Sequence, residues 1–136
     1  MSTLDEISPF PNPGVRLVKE DEHVAIWEEV FEPGQPTPPH RHMRDYIAIF
    51  PHAGELTITQ LAGEPEEYTT IAGEIATESR NRATRLVWGP GMIVHSRVPA
   101  DGVGHFALNE SSKPALMILI EIKGTAAEKR AHQHGN

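Results

Sequence analysis

Residues 34–42, Gly34-Gln-Pro-Thr-Pro-Pro-His40-Arg-His42, lead into a short apolar run, Tyr46-Ile-Ala-Ile-Phe50. A β-strand places residues i and i+2 on the same face, so His40 and His42 direct their imidazoles into one space. The prolines keep the approach to His40 extended, because a residue that precedes proline avoids the helical region. Two converging neutral imidazoles are the beginning of a site for a divalent transition metal, which needs a third ligand.

Composition limits both the fold and the chemistry. A chain of 136 residues fits one domain with its own hydrophobic core. It has no cysteine, which excludes disulfides and thiolate metal sites, so any metal must be held by His, Asp, Glu or weaker oxygen donors. Its formal charge of −7, from 12 Lys+Arg against 19 Asp+Glu, argues against binding to nucleic acid or to an anionic membrane.

The first eight residues are acidic and lack the basic start and apolar stretch of a signal peptide. No apolar run approaches the ~20 residues needed to span a bilayer. We therefore expect a cytoplasmic protein.

Proline and glycine, with 12 and 11 copies, divide the chain into short apolar segments. This spacing predicts many short strands joined by turns, as in a β-sandwich or barrel. Strands are predicted at residues 24–31, 46–50, 56–60, 85–88, 92–94 and 115–122. Residues 63–82 are polar and hard to assign: a long hairpin, a mobile segment and a helix over residues 73–79 all stay open.

The apolar strands also predict which side chains are buried. In residues 115–122 we expect a buried face, formed by Leu116, Ile118, Ile120 and Ile122. In residues 24–31 we expect Val24, Ile26 and Val30 to face the barrel, with Trp27 and Phe31 pointing outward. An outward apolar patch of that size usually needs a partner surface, which predicts a symmetric homodimer.

A third ligand comes from the segment Pro99-Ala-Asp-Gly102-Val-Gly104-His105-Phe-Ala-Leu-Asn109. On a strand, His105 and Asn109 share one face, and the glycines before His105 permit a tight turn. Antiparallel strands of a closed barrel can bring His105 opposite His40 and His42. His95 has no asparagine four residues later, and we expect it to face outward.

Taken together, these segments resemble a small single-domain cupin. The matches to the first cupin motif are Gly34, His40, His42 and Gly54, and those to the second are Pro99, Gly102 or Gly104, His105 and Asn109. The sequence His-Arg-His-x-x-Asp-Tyr-Ile is similar to that of short bacterial cupins labelled β-alanine degradation proteins. The resemblance implies an all-β fold, a cupin-type double-stranded β-helix or jelly-roll barrel. It covers residues 15–123, after an extended arm (1–14) and before a flexible tail (124–136).

The resemblance implies one divalent transition metal (Fe, Mn, Ni or Zn), with His40, His42 and His105 as its ligands. One position departs from the family pattern, because Tyr46 stands where cupins usually carry a glutamate. Asp45 lies one residue earlier, and on strict alternation it faces away from the histidines. We expect a three-histidine site lined by Tyr46 as a catalytic residue, with Asp45 in solvent. The alternative is a local bulge that turns Asp45 inward as a fourth ligand.

The resemblance implies a metal-dependent enzyme, dioxygenase-like, acting on a small oxygenated or carboxylate metabolite. Bound iron would imply dioxygen chemistry, whereas zinc, nickel or manganese would suit isomerisation, decarboxylation or hydrolysis. A cupin that binds a small molecule without turning it over is the alternative.

Overall fold

The computed structural model describes residues 3–135, with side chains described within residues 3–130. In this range the chain forms one 3-10 turn, Leu4–Glu6, eleven strands and one helix. The strands are β1 Arg16–Glu20, β2 Val24–Phe31, β3 His40–His42, β4 Tyr46–Phe50, β5 Gly54–Ala62, β6 Glu67–Ala72, β7 Ile75–Arg80, β8 Ala83–Trp88, β9 Met92–Arg97, β10 Val103–Leu108 and β11 Ala115–Ile122, and the helix is α1 Ala126–Gly135.

The strands form two antiparallel sheets, one with the order β1-β2-β11-β4-β9-β6 and one with the order β3-β10-β5-β8-β7. The inward side chains of the two sheets form one core, in which Met92 and Leu119 are almost fully buried. This is a jelly-roll barrel, and the predicted fold class is confirmed. The strands predicted at residues 24–31, 46–50 and 115–122 are confirmed with the same ends.

Residues 63–82 form two strands in different sheets. β6 pairs with β9 in the six-stranded sheet, whereas β7 pairs with β8 in the five-stranded sheet. Neither a helix nor a hairpin between these two strands is present. Nearly every side chain of β6 and β7 is exposed, so no alternation of burial marked them as strands in the sequence.

The predicted faces of β2 and β11 are wrong. In β11 the buried side chains are Ala115, Met117, Leu119 and Glu121, whereas Leu116, Ile118, Ile120 and Ile122 are only partly buried. In β2 the inner face carries Ala25, Trp27, Glu29 and Phe31, and Val24, Ile26 and Val30 lie on the outside. Both strands carry large apolar side chains on both faces, so hydrophobicity alone does not predict which face turns inward. Trp27 faces inward with a partner for its indole N–H, which donates to Glu121 Oε1 at 2.8 Å.

The outer face of the six-stranded sheet is consequently apolar over most of its area, with Glu28 and His95 as its polar neighbours. We call this surface the outer patch; it consists of Val24, Ile26, Val30, Ile47, Ile49, Ile93, Leu116, Ile118, Ile120 and Ile122. The register places these side chains next to one another across three strand pairs, with Ile120 opposite both Ile26 and Ile47. They shield one another, and Val30 at the edge of the patch is 48 % exposed.

Both ends of the described chain are more ordered than the sequence suggests. Residues 4–12, which we call the N-terminal segment, lie along β3: Arg41 donates hydrogen bonds from Nη1 to the carbonyl oxygens of Leu4 and Ile7, at 3.1 and 2.7 Å. Residues 126–135 are helical, where a tail without regular structure was expected. Ala127 is buried against the core, and the Arg44 guanidinium holds Glu128 at 2.6 Å, so side-chain contacts fix the helix to the barrel. Residues 1, 2 and 136 lie outside the described range.

No helix within the described residues is both long enough and apolar enough to cross a membrane.

Candidate metal centre

The structure brings His40, His42 and His105 together inside the barrel. His40 lies directly opposite His105 in the antiparallel pair of β3 and β10, and His42 lies on the same face two residues further along β3. The centres of the three rings are 4.8 to 5.0 Å apart, and all three side chains are buried. The turn before β10 depends on Gly102, which has a φ of +88° and lies so close to Met43 that a Cβ would meet its sulfur at 2.5 Å.

Two of the three rings are held in a defined orientation. His40 Nδ1 lies 2.8 Å from the carbonyl oxygen of Pro38, and His105 Nδ1 lies 3.2 Å from Glu66 Oε1. A carbonyl or carboxylate oxygen only accepts, so in both rings Nδ1 carries the hydrogen and Nε2 keeps its lone pair. Ring orientation by a carbonyl or carboxylate is typical of metal-bound histidine.

Glu66 joins the two sheets behind His105. Its Oε2 accepts hydrogen bonds from Tyr46 Oη at 2.7 Å and Ser96 Oγ at 2.8 Å. Its Oε1 accepts from Tyr68 Oη at 2.7 Å as well as from His105. Tyr46, Ser96 and Tyr68 are cross-strand neighbours on β4, β9 and β6, so one row of the six-stranded sheet supplies three donors to this carboxylate.

The ionisation of the site follows from this arrangement. Burial lowers the pKa of His40 to about 4, and His105, when protonated, would act in the same direction. Burial and the neighbouring rings hold the pKa of His42 well below its usual value. Burial alone would raise the pKa of Glu66, but its interactions with His105, and then with His42 and Tyr68, outweigh burial and keep the pKa far below the usual range. A metal cation binds histidine through a neutral imidazole, and an ionised carboxylate that accepts the other ring N–H favours this binding.

Tyr46 and Asp45 occupy different environments. Tyr46 is buried, lies on the inner face of β4 and packs against His42 with ring centres 4.8 Å apart. Burial, followed by the negative charge of Glu66, raises the pKa of the Tyr46 phenol well above its usual value, so the phenol stays protonated. Asp45 lies outside the histidine cluster, as we expected. However, it is half-buried, whereas we expected it to be exposed to solvent. Its Oδ1 accepts the backbone N–H of Val98 at 2.8 Å, which makes it a structural acceptor.

Asn109, which completes the second motif, and His95, which does not belong to it, both lie away from the metal ligands. Asn109 is fully buried and donates from Nδ2 to the carbonyl oxygens of Phe31 and Lys113, so it fixes the end of β10 rather than facing the site. His95 lies on the opposite face of β9 from Ser96, partly buried on the outer side of the sheet.

A small cavity opens beside the histidines, with a volume of about 50 Å³. This is room for roughly three to five water molecules, or a few non-hydrogen atoms of a ligand. Its polar lining consists of Glu29, His40, His42, Tyr46, Tyr68 and His105. Its other lining residues are apolar: Phe10, Phe31, Ala48, Phe50, Leu56, Ile58, Ile75, Leu86, Met92, Val94, Ala107, Met117 and Leu119.

The N-terminal segment forms part of this cavity. The Phe10 ring packs on His42 with ring centres 4.8 Å apart and an angle of 31° between planes. Asn12 reaches Glu29 from the same segment, donating from Nδ2 to Glu29 Oε2 at 3.3 Å. The cavity is therefore closed by residues that the sequence placed in a separate extended arm.

Sequence reasoning missed Glu29, Glu66 and Phe10 as residues of the site. Glu66 precedes a strand with no burial pattern, and Glu29 follows another glutamate in a strand whose inner face was misassigned. Phe10 lies in a proline-rich stretch that gives no signal of contact with β3. The spacing of the histidines was the one local signal, because a strand converts i, i+2 into a shared direction.

The residues present fit a divalent transition metal. The candidate ligand atoms of His40, His42 and His105 all lie within 4.8 Å of one another. Nitrogens that bind one ion at about 2.0–2.1 Å lie at most about 4.2 Å apart, so small rotations of the rings would complete the site. His42 Nδ1 is buried and has no hydrogen-bond partner among the residues that the structure describes. A buried ring nitrogen without a partner is unfavourable, and a metal on the same ring would offset that cost.

Comparison with solved structures identifies the fold. A cupin domain from Bordetella pertussis Tohama I superposes with a TM-score of 0.56 and 23% sequence identity, over 85% of this chain and 99% of that one. A cupin 2 conserved barrel domain protein from Salinispora arenicola CNS-205 gives a TM-score of 0.51 and 15% identity, over 88% of this chain and 83% of that one. No family model matches the sequence, and no curated protein sequence matches it.

Oxalate decarboxylase from Bacillus subtilis is also similar, with a TM-score of 0.52 and 17% identity, over 87% of this chain. This chain matches only 28% of the length of that enzyme, for which Mn(II) centres are described. At these identities the likeness concerns the fold. The protein of 136 residues thus has the cupin fold, with a buried cluster of three histidines inside its barrel.

Proposed function

We propose that this protein is a mononuclear metal-dependent enzyme, dioxygenase-like, that acts on a small oxygenated or carboxylate metabolite. His40, His42 and His105 hold one divalent transition metal, Fe, Mn, Ni or Zn. The observation that carries the proposal is the cluster of three buried imidazoles with converging ligand atoms, two of them oriented by Pro38 and Glu66.

The chain's own residues have distinct tasks in this proposal. Glu66 keeps the Nδ1–H tautomer of His105, which leaves Nε2 free to bind the metal. Tyr46 keeps its proton and can donate it in a hydrogen bond to a ligand in the cavity, when it is not donating to Glu66. The apolar walls exclude bulk water. When bound, the metal would supply Lewis-acid polarisation, or dioxygen chemistry if it is iron.

The alternatives are a metal-dependent isomerase or decarboxylase and a cupin that only binds a small molecule. The decarboxylase alternative is supported by the fold shared with oxalate decarboxylase. The resemblance to β-alanine degradation proteins makes β-alanine and related short acids the first substrates to test. Oxygen uptake by iron-loaded protein with such acids would favour the dioxygenase. Release of CO₂ without oxygen uptake would favour the decarboxylase, and stabilisation by a ligand without turnover would favour the binder.

The metal centre is tested by elemental analysis of protein purified without an affinity tag or added metal. We expect about one equivalent of a transition metal in the wild type. His40→Ala, His42→Ala and His105→Ala should each lose most of it, since each removes one of three protein ligands. His95→Ala is the matched control and should keep its metal, because His95 lies on the outer side of the sheet. Full metal content in the His105→Ala protein would contradict the assignment.

A further inference from the structure

Glu29 is a buried acidic residue without an assigned task. It lies on the inner face of β2, is 6% exposed and lines the same cavity as the three histidines. Among the described residues that line this cavity, Glu29 is the only one with a carboxyl group. Glu66 lies on the other side of His105, where it borders a separate surface cleft.

The structure gives Glu29 little stabilisation of its own. Its partner in the described part of the chain is Asn12, which donates one neutral hydrogen bond at 3.3 Å. Glu121 on the adjacent strand is equally buried, but it accepts the indole N–H of Trp27 and lies 3.4 Å from the Arg44 guanidinium. A buried carboxyl group with one long neutral contact is unfavourable for folding. Structural stabilisation therefore does not account for Glu29.

Burial raises the pKa of Glu29 to about 7, although the hydrogen bond from Asn12 opposes this rise, as His105 does when it is protonated. The neutral carboxylic acid, which can donate a hydrogen bond, is thus accessible near neutral pH.

The charges around the cavity limit what it can hold. Its lining within the described residues includes no lysine or arginine. An anionic group placed away from the histidines would therefore be buried beside Glu29 without a cation to balance it, which is strongly unfavourable. The remaining walls are aliphatic and aromatic, and the volume of about 50 Å³ limits the cavity to a small ligand.

We propose that Glu29 hydrogen-bonds to the end of the bound ligand that points away from the histidines. The cavity then selects small monoanions that bind the metal through their carboxylate and carry an uncharged polar group at the other end, such as short 3-hydroxy acids. Dianions of the same size are excluded. This inference rests on the proposed metal centre and names the substrate class of that site.

The test uses the whole protein loaded with Co(II), whose visible spectrum reports binding without any turnover. Three probes of nearly equal size are titrated: 3-hydroxypropionate, butyrate, which has a methyl group in place of the hydroxyl, and malonate, in which a second carboxylate replaces the hydroxymethyl group. We expect 3-hydroxypropionate to bind about tenfold more tightly than butyrate, the effect of one buried hydrogen bond. Malonate can chelate the cobalt with both carboxylates, so its affinity is compared between the wild type and the Glu29 variants rather than with the other two probes.

Variants of Glu29 separate recognition from folding. Glu29→Leu should abolish the preference for 3-hydroxypropionate over butyrate without changing the cobalt content. Glu29→Gln keeps shape and a donor but removes the negative charge, so malonate should bind about tenfold more tightly than to the wild type, for the like-charge repulsion lost. Glu121→Gln is the matched control, because it neutralises an equally buried carboxyl group outside the cavity lining, and the affinities for all three probes should stay unchanged.

If cobalt binds but the wild type does not discriminate between 3-hydroxypropionate and butyrate, this inference is wrong and the metal centre stands. It is equally wrong if both Glu29 variants keep the wild-type affinities. If Glu29→Leu does not fold, the inference is tested by Glu29→Gln alone, and it is wrong if this variant binds malonate no more tightly than the wild type does. Failure of the wild type to take up cobalt in a manner that depends on His105 would overturn the metal centre, and this inference with it.

Discussion

At the scale of single residues, Glu29 and Glu66 show how surroundings set the state of a buried carboxyl group. Both are inside the barrel near His105. Glu66 accepts hydrogen bonds from two tyrosines and a serine in addition to His105, and it stays ionised. Glu29 accepts one from Asn12, and burial dominates its pKa. The interactions with nearby histidines, together with hydrogen bonds, decide the charge more than depth alone does.

Glu29 makes the stability of the metal-free protein depend on pH. Its pKa rises from about 4.5 in the unfolded chain to about 7 in the folded one. The folded state therefore holds the proton more tightly, and this contribution to stability is lost as pH rises from about 4.5 to 7. The pKa of His40, lowered to about 4, acts in the opposite direction between about pH 4 and 6.5. Only a comparison with Glu29→Gln isolates the first contribution.

Metal-free Glu29→Gln lacks the titrating carboxyl group. We therefore expect its free energy of unfolding to increase relative to that of the wild type between pH 5 and 8. The increase should reach about 3 kcal/mol at most, the equivalent of the pKa difference. Urea denaturation of both proteins at several pH values measures it. A difference that does not change with pH would mean that Glu29 titrates alike in the folded and unfolded states.

Asp45 and Tyr46 distinguish the three-histidine site from the alternative with a fourth ligand. Asp45→Asn keeps an oxygen for the Val98 N–H, so we expect the metal content to stay unchanged. Asp45→Ala should lower the free energy of unfolding by about 1–3 kcal/mol, because a half-buried N–H loses its acceptor. Tyr46→Phe should keep the metal and reduce turnover by about 100-fold, if the phenol is the donor to the reacting ligand.

Metal analysis and steady-state rates of these variants, measured side by side, decide between the two sites. Loss of metal in Asp45→Asn, together with unchanged turnover in Tyr46→Phe, would favour the site with Asp45 as a ligand.

At the scale of elements, substitutions in β11 test which of its faces is turned toward the core. Leu119 is 2 % exposed and points into the core, whereas Ile120 lies on the outer patch. Leu119→Ala should lower the free energy of unfolding by about 2–5 kcal/mol, since it leaves a cavity in the core. Ile120→Ala, measured at the same low protein concentration, should cost less. Equal losses would contradict the face assignment.

The sequence predicted strands better than it predicted their faces. Residues 24–31, 46–50 and 115–122 are β-branched and apolar runs bounded by turn residues, and these local properties suffice to locate a strand. The direction of Trp27 and Leu119 depends on the neighbouring strands and the opposite sheet, which come from distant parts of the sequence. The histidine cluster was predictable because two of its three members, His40 and His42, are two residues apart on β3. Only His105 had to be supplied by another strand. Glu29 and Glu66 join the site through tertiary packing alone.

At the scale of the whole molecule, the outer patch is the feature that a single copy leaves unexplained. It is a continuous apolar surface across β2, β11, β4 and β9. Surfaces of this kind on a folded chain usually mark an interaction site. A homodimer was expected from Trp27 and Phe31, which turn out to face inward. We still expect a homodimer, but with the outer patch around Ile118 and Ile120 as its interface.

We therefore expect the wild type to sediment as a dimer at tens of micromolar. Ile120→Arg places a charge between Ile26 and Ile47 in the outer patch and should yield a monomer with the metal retained, because burying an unpaired charge between two copies is strongly unfavourable. Val87→Arg is the matched control: Val87 is 38 % exposed on β8 in the other sheet. A wild type that sediments as a monomer, or an Ile120→Arg variant that stays dimeric, would contradict this surface.

The central position of β11 has a consequence for how the protein is made. The last strand in the sequence lies between β2 and β4, so the order of synthesis and the order of strands in the sheet do not agree. Until residues 115–122 emerge from the ribosome, β2 and β4 each present an open edge, and their apolar side chains have no neighbour between them. Such edges readily pair with other chains. We therefore expect the growing chain to be open to pairing with other chains until β11 is inserted between β2 and β4.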